Sequence, residues 1–110
     1  MDASVKDFVR AQREEPPPRA IARISRMIAQ LEGEPPSRAR ESGFAWLFLA
    51  LAEAALKAGK VREAERAWLT GYSYARTARD SEAFAWALSL REVRSLARNT
   101  RVAQRRKHRR

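Results

Sequence analysis

The sequence predicts an all-α fold, a single-domain bundle of about five helices. Three observations point there. Apolar residues recur at three- and four-residue spacing through most of the chain, which is the period of a helix face. Alanine is frequent while only four glycines and five prolines occur, a composition of helices rather than of turn-rich sheets. At 110 residues, 45% of them hydrophobic, the chain can build one core but not two.

Val5, Phe8 and Val9 predict a first helix over about 3–13, with Ser4 and Asp7 placed as a capping box. Glu14-Glu15-Pro16-Pro17-Pro18 ends it, because proline cannot continue a helix. Ile21, Ile24, Ile28 and Leu31 give a second helix over about 18–32 that stops at Gly33, with Arg19, Arg23 and Arg26 on its solvated back. After Glu34-Pro35-Pro36-Ser37 the third helix, about 38–58, is apolar nearly all round from Phe44 to Ala52. Such a helix is central and covered by its neighbours. Glu53 and Lys57, four residues apart, are expected on its exposed strip. A turn at Ala58-Gly59-Lys60 leads to a fourth helix, about 61–78, with Val61, Ala64, Trp68, Gly71 and Ala75 on its apolar side and Tyr74 off that stripe. Asp80 or Ser81 caps a fifth helix, about 81–99, through Phe84, Trp86, Leu90, Val93 and Leu96. Trp46, Trp68 and Trp86 all sit in periodic apolar stretches and are expected in the core rather than as base-stacking platforms.

Phe48-x-x-Leu51-Ala52, followed by Gly59, Val61, Ala64, Trp68 and Gly71, resembles one tetratricopeptide repeat over about residues 45–78. Asp80, Phe84 and Leu88 resemble the start of the next repeat's first helix, at about 80–97. The resemblance implies an antiparallel helix pair brought close by small residues, and a scaffold whose surface binds a protein partner or a second copy.

Charge is the outlier of the composition, with 23 Lys+Arg against 13 Asp+Glu, a net of +10. Residues 1–90 hold 14 basic and 12 acidic side chains, whereas residues 91–110 hold nine basic ones and the single acid Glu92. The body, 1–99 with its helices, is thus distinguished from a basic extension over 100–110 that could prolong the last helix. Arg91, Arg94, Arg98, Arg101 and Arg105 follow 3, 4, 3, 4 spacing, and Arg106, Lys107, Arg109 and Arg110 add charge beyond them. On a helix the five arginines form one stripe about 20 Å long within a sector of about 80°. Guanidinium forks suit phosphate oxygens, and stacked like charges call for a polyanion to offset their repulsion. These nine residues are therefore the expected nucleic-acid-binding set, with DNA and RNA both open and little base readout, since only Asn99 and Gln104 lie nearby. A solvated tail, or docking onto an acidic protein or acidic surface, is the competing reading. Under it the molecule is purely a protein–protein adaptor.

Catalysis is not expected. There is no cysteine, and the one histidine, His108, lies in the basic tail. No glycine-rich phosphate loop, Gly-x-Ser-x-Gly elbow or metal-ligand spacing occurs, and Glu63 and Glu65 point to different sides of a helix. No catalytic or metal-binding residue, no cofactor and no membrane association are expected. The apolar run from Phe44 to Ala52 is far short of the ~18 residues of a span, and no signal-like segment opens the chain, so a cytoplasmic location is expected.

Overall fold

The computed structural model describes residues 3–90, and among them it is all-α, with no strand. The helices are α1 Ala3–Gln12, α2 Pro17–Glu32, α3 Arg38–Lys57, α4 Val61–Ala78 and α5 Ser81–Ser89. Their ends match the sequence periodicity to within a residue for α1 to α4. Residues 91–99, expected in the same helix as α5, and the extension over 100–110 lie outside the described residues. α1 starts at Ala3, so Ser4 falls inside the helix rather than at its cap, and Asp7 pairs with Arg10 at 3.6 Å.

Local chemistry fixes each boundary. Pro17 and Pro18 occupy the first turn of α2, where a missing N–H costs nothing. The Ser37 hydroxyl accepts the Arg40 N–H at 3.0 Å and caps α3. Gly59, at φ 76°, ends α3 in a Schellman turn: its N–H donates to Leu56 at 3.0 Å and that of Lys60 to Ala55 at 2.9 Å. The same turn closes α4, but there Arg79 adopts the left-handed conformation, at φ 53°, with the Asp80 N–H on the Ala75 carbonyl at 3.0 Å.

α3 is the central helix. On one side Val9, Ala20, Ile24 and Ile28 pack against Phe44, Leu47, Ala50 and Ala54. On the other, Ala45, Leu49, Ala52 and Ala55 meet Ala64, Trp68 and Ala75 of α4 and Ala83, Ala87 and Leu90 at α5. α3 and α4 form an antiparallel hairpin, with Phe44 opposite Tyr74 and Leu49 opposite Gly71. A Cβ on Gly71 would lie 3.0 Å from the Leu49 backbone nitrogen, so the two helices approach at a distance only glycine permits. The hairpin-rich bundle is what the sequence resemblance implies at its coarsest level.

α1 lies across α3 and α5. Lys6 sits 5.2 Å over the Trp46 ring and pairs with Glu82 at 2.9 Å. Two turns further on and just past the end of α1, Arg13 forms a two-pronged bond to Glu53, at 2.9 and 2.8 Å, and covers the Trp86 ring at 5.4 Å. Contacts therefore run in the same order along α1, α3 and α5, which makes the three roughly parallel. This corrects the expectation for Glu53: Arg13, just past α1, covers it and leaves its side chain 17% exposed, while Lys57 stays on the open strip.

Candidate nucleic-acid interface

Several cations of the body are engaged by its own architecture. Arg38 and Arg40, in the first turn of α3, close the ends of the two neighbouring helices. The Arg38 Nε donates to the Ala78 carbonyl at 2.7 Å, ending α4, and Arg40 donates to Leu31 and Glu32 carbonyls at 3.2 Å each, ending α2. Positive charge at a helix C-terminus also favours the dipole there. On α2, Arg19 and Arg23 reach Glu15 at 3.6 and 3.1 Å, so part of the expected solvated back is an ion-pair cluster.

Acid groups are tied down in the same way. Arg13, by hydrogen bonding, holds the Glu53 carboxyl below its ordinary pKa against the opposing effect of burial. Burial pushes the Asp80 carboxyl up. Donation from Ser42, the Ala83 N–H and the Trp46 indole, with Lys6 nearby, outweighs this and leaves it lowered. Asp80 is thus the cap of α5, accepting from Ala83 at 3.0 Å, and the anchor of that cap to α3 through Ser42 and through Trp46 at 2.9 Å.

The three tryptophans are structural among these contacts. Trp68 is buried, and its Nε1 donates to the Ala87 carbonyl at 2.8 Å. Trp46 and Trp86, from the repeated Phe-Ala-Trp triplet, face each other at 5.3 Å beneath Lys6 and Arg13. Tyr74, off the main stripe of α4, packs instead on Phe44 at 5.1 Å and on Phe48 at 6.1 Å. Those rings are covered by neighbours and are poorly placed to stack on bases.

The chain thus reaches Leu90, 8% exposed, at a point fixed by Trp68 and Ala87. Arg91, Arg94, Arg98, Arg101, Arg105, Arg106, Lys107, Arg109 and Arg110, the expected phosphate-binding set, lie outside the described residues. Among the described residues no group of three or more His, Cys, Asp or Glu is placed to hold a metal ion. No helix among them is long and apolar enough to cross a membrane. Leu88 of α5 and Leu69 of α4 are exposed at 48% and 46%. Leu88, which the resemblance named at the start of a following repeat, is thus on an exposed side of α5 among the described residues. The chain matches no protein-family profile, no curated protein and no solved structure.

Proposed function

We propose that the protein is a non-catalytic binding module. Its helical body, built around a tetratricopeptide-like hairpin, is a scaffold for a protein partner or a second copy. Its arginine-rich C-terminal segment binds nucleic-acid backbone. The observation that carries this reading is the division of charge. The body spends Lys6, Arg13, Arg38 and Arg40 on its own carboxylates, carbonyls and rings. Nine cations beyond residue 90 face a single acid. A local excess of that size attracts a polyanion and releases its counterions on contact.

The test is a titration of labelled single- and double-stranded DNA and RNA at two salt concentrations, with the intact protein and with a chain ended at Asn99. Steep loss of affinity with salt, and a large loss on shortening, are expected. Absent or salt-insensitive binding by the intact protein would sink the proposal. Exposed Leu69 and Leu88 favour a second reading, a protein-binding adaptor whose basic tail only solubilises it. That reading requires the α4–α5 face to be open in the intact protein.

A further inference from the structure

The large apolar side chains exposed among the described residues, Leu69 and Leu88, stand on neighbouring helices, α4 and α5. Between these helices runs an open groove of about 410 Å³, with an apolar floor of Ala75, Phe84, Ala85 and Leu88 and with Arg76 and Arg79 at its rim. We propose that this groove takes an acidic amphipathic helix of a partner protein, with apolar anchors seated on Phe84 and Leu88 and carboxylates meeting Arg76 and Arg79. The proposal rests on the role of the body as a protein-binding scaffold, and it names the face used and the chemistry of the partner.

Helix register places the apolar groups on one side. On α5, Phe84, Ala85 and Leu88 are turned about 140° from Ala83, Ala87 and Leu90, which face the core. On α4, Leu69, Tyr72 and Arg76 lie within about 60° of one another. Tyr72 links the two helices, its ring 5.3 Å from that of Phe84. From Ser81 to Leu88 the groove is about 11 Å long, two turns of a helix. Two antiparallel helices side by side present a trough, and a third helix fills it with side chains at i, i+3, i+4 and i+7.

Charge selects the occupant. Arg76 lies 5.9 Å over the Tyr72 ring, and neither it nor Arg79 forms an ion pair among the described residues. This sets them apart from Lys6, Arg13 and Arg38, which the body's own carboxylates and carbonyls hold. Asp80, the acid that lines the groove, is committed to Ser42, the Trp46 indole and the Ala83 N–H. A second copy would bring a net charge of +10 to a rim that is already cationic, which opposes self-association here. A carboxylate-bearing amphipathic helix satisfies the floor by apolar contact and the rim by ion pairing.

The probe is a synthetic helix of alanine and glutamate, with leucines at i, i+3, i+4 and i+7, titrated into the isotope-labelled full-length protein. Saturable amide shifts are expected over residues 69–88. Leu88→Ala, at an exposed position, should weaken binding about tenfold through loss of one apolar anchor. Arg76→Gln with Arg79→Gly, the latter suited to the left-handed backbone at that position, should weaken it about fivefold at low salt. A peptide with lysine in place of glutamate, and one with alanine in place of leucine, should give no saturable shift there. Equal binding by the first would remove the role of charge, equal binding by the second that of the apolar floor, and either would overturn the proposal. Shifts confined to residues 91–110, or none at all, would overturn it too. Shifts on another face of residues 3–90 would overturn the groove while leaving the scaffold role standing, and the phosphate-binding arm keeps its separate test by salt dependence.

Discussion

Two glycines buried on α3 and α4 separate a close helix contact from a merely well-packed one. A Cβ on Gly71 would lie 2.8 Å from Leu49 Cγ, 2.9 Å from its Cδ2 and 3.0 Å from its backbone nitrogen. Leu49 is fully buried, so neither its side chain nor the α3 backbone can retreat without opening the hairpin. Overpacking of this kind costs about 1–3 kcal/mol. Replacing a mid-helix glycine by alanine returns up to about 1 kcal/mol of helix propensity. Gly71→Ala should therefore lose about 1–2 kcal/mol. On Gly43 the added Cβ would meet Leu31 Cδ2 at 2.9 Å, the far end of a half-buried and flexible side chain. There the same propensity gain offsets a small adjustment, and Gly43→Ala should be neutral or stabilising by up to about 1 kcal/mol. Urea unfolding followed by tryptophan fluorescence reads both, with a midpoint about 1 M lower for Gly71→Ala than for the parent. A Gly71→Ala midpoint equal to or above the parent's would refute the close approach of α3 and α4.

Arg79→Gly should raise stability by about 0.5–1 kcal/mol in the same assay, since an L side chain in the left-handed region costs roughly 1–2 kcal/mol that glycine avoids. Asp80→Ala should lose about 2–4 kcal/mol, because it removes the α5 cap and leaves the Trp46 indole and Ser42 hydroxyl without their acceptor. The Arg13–Glu53 pair has one half-exposed partner, so a double-mutant cycle with Arg13→Ala and Glu53→Gln should give a coupling of about 0.5–1 kcal/mol. Both Asp80 and Glu53 are lowered in the folded state. The unfolded chain therefore takes up protons first as the pH falls, and the stability from these groups is present above the ordinary carboxylate range and lost as pH drops through their folded values. Thermal unfolding between pH 6 and pH 2 should show that decline, and Asp80→Ala with Glu53→Gln should flatten it.

The helices were legible because their signals are local. The proline clusters, Ser37, Gly59 and Asp80 each set a boundary through the chemistry of the residue itself. The all-apolar stretch of α3 likewise announced a central helix. The placement of α1 was not legible, because the pairing of Arg13 with Glu53 joins residues forty apart and no periodicity encodes it. Nor does the sequence mark Arg38 and Arg40 as caps of other helices, since an arginine in a first turn usually reads as solvated charge. Tyr74 does lie off the apolar stripe of α4, but its packing on Phe44 and Phe48 was not legible, because α4 has two contact faces and a single stripe describes only one of them. For the interface, the sequence carried the charge register of the extension. The structure added the exposed Leu88 of α5 and the internal use of several of the body's own cations.

The proposed role of the extension rests on phosphate contacts by Arg91, Arg94, Arg98, Arg101 and Arg105. The direct measurement is the salt dependence of affinity for a labelled duplex, for the intact protein and for a variant with those five arginines changed to glutamine. Five phosphate contacts correspond to a slope of about −4.5 in log K against log salt. A slope at least that steep is expected for the intact protein, flattened by about 4 in the variant while its unfolding midpoint stays the same. Equal slopes for the two proteins, or no binding by the intact protein at low salt, would contradict a phosphate-binding arm.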